Sequence, residues 1–167
     1  MKEIDYKLAS KKDAWLTGFV DGEGCFSISF SLRSKMKHGF EIRPSFSCAQ
    51  RKDKDSLNKM VLDEIQNLFQ AGFIRFSKKD QMWKYEVRQI NDICEKIIPY
   101  FETNMLRTAK KLDFEKFKKI CLIIKSNHHL SVSGVKQIIN LAFTMNVSGK
   151  RKYEKEFLLK LLDKVKI

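Results

Sequence analysis

WLTGFVDGEGCF, residues 15–26, has too many glycines for an ordinary helix and too many bulky apolar side chains for a loop. Ala14, Gly18 and Gly22 recur every four residues, so a helix starting near Lys12 aligns them as a stripe with almost no side-chain volume. Two backbones can touch along such a stripe. Trp15, Leu16, Phe19 and Val20 form the opposite stripe and are expected to bury in the chain's own core. The sequence holds one such segment, so the expected partner is the same helix of a second copy, related by a twofold axis. Ala14, Gly18, Asp21 and Gly22 would then lie in the contact. Acids at the helix end would sit near their symmetry mates, where paired carboxylates bind divalent metal or else repel each other.

Downstream, CFSISFSLRS alternates without a fault: Phe26, Ile28, Phe30 and Leu32 on one face, Ser27, Ser29, Ser31 and Arg33 on the other. After a loop around Lys35, FEIRPSFSCAQ continues with Phe40, Ile42, Phe46 and Cys48 inward and Glu41, Arg43, Ser45, Ser47 and Ala49 outward. The pair reads as a long hairpin in which Pro44 predicts a bulge or a free edge. Residues 55–70 show helical spacing, with Gly72 placed to end the helix. A second hairpin, GFIRFS and MWKYEVRQ, turns Trp83, Tyr85 and Val87 in and Lys84, Glu86 and Arg88 out, with Arg75 and Ser77 on its first strand. Helical patterns follow over 91–98, 108–125, 131–144 and 153–165. The expectation is one α+β domain over residues 1–167, ordered αββαββα with extra C-terminal helices. Its antiparallel sheet is covered by helices on one face and wet on the other.

Thirty-three Lys and Arg against 20 Asp and Glu give a formal charge of +13, which calls for a polyanionic partner. The hydroxyls, arginines and lysines of the wet face can bond base edges and phosphates. No segment approaches ~18 uninterrupted apolar residues, so a membrane partner is not indicated. Cys25, Cys48, Cys94 and Cys121 form no C-x-x-C pair, which argues against a zinc ribbon and fits a reducing compartment. MKEIDYKLASKKD lacks the features of a signal or transit peptide. The protein is therefore expected to act where it is made, and its Lys, Ile, Asn and Phe content suits an AT-rich genome such as an organelle's or a phage's. His128-His129 lacks further ligands nearby and reads as a loop or helix start, and GKRKYEK reads as a solvated basic run.

Leu16 to Gly24, LTGFVDGEG, resembles the motif that names the LAGLIDADG homing endonucleases. TAKKLDFEKFKKI (108–120) and HHLSVSGVKQIINLAFTMNVSGKRK (128–152) also resemble the family, which extends the likeness over residues 12–152. The resemblance implies an αββαββα fold whose saddle-shaped sheet straddles duplex DNA, and metal-dependent cleavage of both strands. Glu23 matches the metal-binding acid, with the Gly22 carbonyl beside it, and Glu in place of Asp keeps the hard oxygen that Mg²⁺ requires. Mn²⁺ or Ca²⁺ could occupy the same position. Asp21 matches an acid that serves the helix end, Gln50 a water-orienting glutamine, and Lys54 a basic residue at the following helix start. The lysine that stabilises the transition-state phosphate falls at Lys110 or Lys111. The implied protein is a homodimer on a partly palindromic duplex of ~20 bp. It would be encoded in a mitochondrion or chloroplast, or otherwise act in a bacterial or phage cytoplasm. The alternative partner is host intron RNA, bound by a splicing maturase on the same scaffold.

Overall fold

The computed structural model describes residues 11–164. Helix α1 (Lys11–Glu23) leads into β1 (Gly24–Leu32) and β2 (Phe40–Arg51), then α2 (Leu57–Phe69), β3 (Phe73–Ser77) and β4 (Met82–Val87). A helical stretch follows as α3 (Ile90–Asp92), a π turn (Ile93–Ile97) and α4 (Ile98–Thr103). Helices α5 (Lys110–Lys125), α6 (Val132–Ala142) and α7 (Lys155–Lys164) complete the chain, with a 3-10 turn at His128–Leu130. The αββαββα order is present, with further helices after it. Of the expected last helix, Val165 lies outside the described residues.

The four strands form one open antiparallel sheet in the order β1-β2-β4-β3. The β1–β2 register runs unbroken from Gly24↔Cys48 to Leu32↔Phe40, with Ile28 opposite Pro44. There is no bulge. Instead, β4 pairs with β2 only from Phe46 onward, so Pro44 lies where its missing N–H costs no ladder bond to β4.

Period-two patterning puts Phe26 at the centre of the core. Its ring lies 5.1–5.5 Å from those of Phe46, Phe101, Phe114 and Phe117, which come from β2, α4 and α5. Tyr85 is fully buried and its hydroxyl donates to the Ala71 carbonyl at 3.0 Å.

Four local expectations need correction. Trp15 is 46% exposed and stacks on the half-buried Phe19, while Leu16 and Val20 are the fully buried side chains of α1. Helix α2 starts at Leu57 rather than at residue 55, because the Asp53 carboxylate accepts the Leu57 and Asn58 N–H groups. Pro99 does not end its helix. The π turn just ahead of it widens the spiral where a proline ring would crowd the preceding turn. Arg151 is not a solvated charge. Its guanidinium turns inward to the Ala142, Met145 and Ile28 carbonyls and lies 4.7 Å from the Phe143 ring centroid. With Asn146, which donates to the Phe26 carbonyl at 2.8 Å, it covers the open edge of β1.

Candidate active site and nucleic-acid interface

Helix α1 ends where β1 begins because Gly24 lets the chain turn sharply: a Cβ there would meet Val20 at 2.6 Å. Glu23, the last residue of α1, is exposed. Asp21 turns back into its own chain, accepting the Arg107 N–H at 2.7 Å and the Thr108 hydroxyl at 2.8 Å. This ties the start of α5 to the end of α1. Lys110 then reaches across, and its ammonium donates to the Val20 carbonyl at 2.9 Å and the Gly22 carbonyl at 3.1 Å. The geometry thus separates the two lysines: Lys110 lies at the end of α1, whereas Lys111 is exposed on the next position of α5.

Gln50 is half-buried on β2, two residues beyond Cys48, which pairs with Gly24, so it lies at the Glu23 end of the sheet. Lys54 is exposed in the turn before α2 rather than in the helix itself. Cys25 and Cys48 flank this region as free thiols. Burial pushes Cys48 up to about 12 and also raises Cys25, so neither supplies a thiolate near neutral pH.

Among the described residues, no group of three His, Cys, Asp or Glu side chains could hold a metal ion. The His128–His129 pair lies in the 3-10 turn before α6. One chain offers the Glu23 carboxylate and the Gly22 carbonyl, a partial set of the hard oxygens that Mg²⁺ takes together with waters and phosphate. The small stripe of α1 is open: Ala14, Gly18 and Gly22 are exposed, and a Cβ at Gly18 or Gly22 would meet nothing within 4 Å. Packing among the described residues therefore does not require glycine at either position.

The outer sheet face is not a uniform row of free side chains. Near the turn end of the β1–β2 hairpin, Glu41 holds Arg33 at 2.8 Å and takes two contacts from Arg43, at 3.0 and 2.8 Å. The Arg43 hydrogen bonds hold the Glu41 carboxyl below its usual range. Ser27, Ser29 and Ser31 line β1 beside them, with Lys35 exposed in the loop. Ser45 and Ser47, expected to face out, are buried at 7% and 5% exposure beneath longer neighbours. Glu86 is also buried, at 2%, although strand alternation points it outward. It accepts the Ser45 hydroxyl at 2.8 Å and lies within 4 Å of cationic nitrogens of Arg75, Lys84 and Arg88. Burial raises the Glu86 carboxyl, but Ser45 and the Lys84 and Arg88 charges outweigh it and leave a net lowering. Ser77 bonds Asp80 in the β3–β4 turn.

The profile of the LAGLIDADG endonuclease family matches residues 16–121. The chain belongs to that family. A probable intron-encoded endonuclease 2 of Neurospora crassa is 33% identical over 127 residues, which cover 76% of this chain and 26% of that protein. The chain thus spans about a quarter of this curated relative. Among solved structures, the homing endonuclease I-TnaI is 30% identical with a TM-score of 0.76, covering 92% of this chain and 97% of that one. The archaeal intron-encoded homing endonuclease I-Vdi141I, solved in complex with DNA, superposes with a TM-score of 0.82 at 26% identity, covering 92% and 96%. Like them, this LAGLIDADG chain carries a mixed helix and antiparallel-sheet fold. None of the described helices is long and apolar enough to cross a membrane.

Proposed function

We propose that this LAGLIDADG chain is a site-specific homing endonuclease that acts as a homodimer on a partly palindromic duplex and hydrolyses both strands. The observation that carries the reading is the convergence at the end of α1. Glu23 stands at the last position of α1, and the Lys110 ammonium bonds the Val20 and Gly22 carbonyls just before it, at one end of a sheet whose outer face carries Arg33, Arg43, Arg75, Lys84 and Arg88.

The open stripe of Ala14, Gly18 and Gly22 supports the second copy. One chain also brings one acid of this kind, and cutting two strands calls for two. Strands of about ten residues at ~3.3 Å each span ~33 Å, close to one turn of B-DNA, so each protomer would read one half-site.

Glu23 would hold Mg²⁺, with Mn²⁺ or Ca²⁺ as substitutes, and the Gly22 carbonyl, which accepts one Lys110 hydrogen bond, would add its remaining lone pair. The cation supplies Lewis-acid polarisation of the phosphate and stabilisation of the leaving oxygen. Lys110, anchored on two carbonyls, presents a fixed positive charge to the phosphate as negative charge develops in the transition state. Gln50 orients the attacking water, and Lys54 adds a positive charge at the same end of the sheet. Asp21 keeps Lys110 in place by tying the start of α5 to α1. The intron-encoded relative and the composition support coding within an organellar intron.

The test uses duplexes selected by the protein from a randomised library, incubated with Mg²⁺ or with EDTA. Cleavage of both strands is expected with Mg²⁺ and none with EDTA. Tight selective binding without cleavage in Mg²⁺ or Mn²⁺ would contradict the nuclease reading.

A further inference from the structure

Glu86 is out of place on a surface that meets a polyanion. It is the next-to-last residue of β4, opposite Ser47 of β2 and Phe73 of β3, on the face that carries Lys84 and Arg88. A carboxylate there repels phosphates, and its burial costs further free energy unless it is paired and hydrogen-bonded. Oε1 meets both conditions, whereas Oε2 is ion-paired but accepts no hydrogen bond. The Ser45 hydroxyl fixes Oε1 at 2.8 Å, Arg88 stands 2.9 Å and Arg75 3.8 Å from Oε2, and Lys84 lies 3.3 Å from Oε1.

The cations gathered on it stay open to a ligand: the side chains of Arg75, Lys84 and Arg88 are 48%, 31% and 51% exposed, against 3% for Glu86. Long basic side chains lose rotamer freedom when they bind, and those already held lose less. A guanidinium must also present its plane edge-on to pair with a base. A free lysine or arginine meets this requirement only part of the time, while any phosphate attracts it at all times.

We propose that Glu86 is a positioning residue for base recognition. It pre-orients Arg75, Lys84 and Arg88 toward one patch of each half-site, and by cancelling part of their charge it weakens binding to all other sequences. The inference rests on the reading of the sheet face as a DNA reader. Its consequence runs opposite to that of a simple scaffold residue, because loss of the Glu86 charge should strengthen indiscriminate binding while blurring discrimination. Glu41, which holds Arg33 and Arg43 on the other hairpin, provides an internal comparison at a different position.

The test compares wild type, Glu86→Gln and Glu86→Asp as full chains. Base preferences are read by selection from a randomised duplex library, and affinity for one fixed non-target duplex is measured against salt. For Glu86→Gln, non-target affinity is expected to rise about three- to tenfold at low salt, with the salt slope steeper by about one. Preference at two or three adjacent positions should fall about tenfold, while positions read by Arg33 and Arg43 keep theirs. Glu86→Asp keeps the charge on a shorter arm, so it should leave non-target affinity within about twofold and lose preference at the same positions. Should Glu86→Gln fail to melt cooperatively, the Asp variant decides alone. A parallel drop in target and non-target binding by the Gln variant, or unchanged preference in both variants, would overturn the inference. Failure of wild type to select any sequence would instead remove the DNA reading beneath it.

Discussion

Glu23→Gln is expected to reduce double-strand cleavage by at least about a thousandfold while leaving target binding within about tenfold. The side chain is exposed at the tip of α1 and makes no contribution to the buried core, so the fold does not depend on it. Glutamine keeps its shape and removes the negative charge, and a neutral amide is a poor ligand for a hard cation. Loss of Lewis-acid stabilisation is worth several kcal/mol in a metal-dependent hydrolysis, or about three orders of magnitude in rate. Single-turnover cleavage on a selected duplex, alongside a binding titration, separates the two effects. Near-normal cleavage by the variant would mean that Glu23 is not the metal ligand. Loss of binding and cleavage together would mean that it serves the interface instead.

If the proposed dimer forms along the α1 stripe, Gly18→Leu should abolish it while leaving the protomer folded. A Cβ at this position meets nothing within 4 Å among the described residues, so the added side chain starts in open space. The helix itself should gain roughly 0.5–1 kcal/mol from losing a glycine. Between two copies the outcome reverses. Each inserted side chain would hold the helices apart at a contact that requires backbone approach, at ~1–3 kcal/mol per site and twice over on a twofold axis. The expected result is a folded monomer in sedimentation and loss of double-strand cutting at concentrations where wild type cuts. An intact, active Gly18→Leu dimer would place the twofold axis elsewhere.

The parts of the fold that repeat were legible in the residues. Phe26, Ile28 and Phe30 alternate with serines because a strand has period two, and their burial follows directly. Ala14, Gly18 and Gly22 align because a helix returns to the same face about every four residues. What escaped the sequence depends on neighbours distant in the chain. Alternation puts Lys84 and Arg88 beside Glu86 on one face but does not show that Ser45 of β2 and Arg75 of β3 join them around its carboxylate. Lys110 and Lys111 are adjacent in sequence, and only the packing of α5 against the end of α1 decides which one reaches Gly22. Arg151 looked solvated within a run of charges. Nothing local to it shows that α6 ends beside it with carbonyls to satisfy, or that β1 has an uncovered edge. Trp15 lies on the stripe opposite the small residues, which predicts burial, yet α1 presents only Leu16 and Val20 as fully buried side chains.

The central claim is that two copies of α1 meet on a twofold axis and bring both Glu23 carboxylates close together. Phosphates facing each other across the wide major groove are too far apart for such a pair, whereas those across the narrow minor groove are within reach. In right-handed B-DNA the nearest phosphates across the minor groove are offset by a few base pairs toward the 3′ side. Sequencing both ends of the product from a selected duplex cut in Mg²⁺ tests this arrangement most directly. Short 3′ overhangs on both strands are expected, and blunt ends or 5′ overhangs would contradict the paired placement of the two acids.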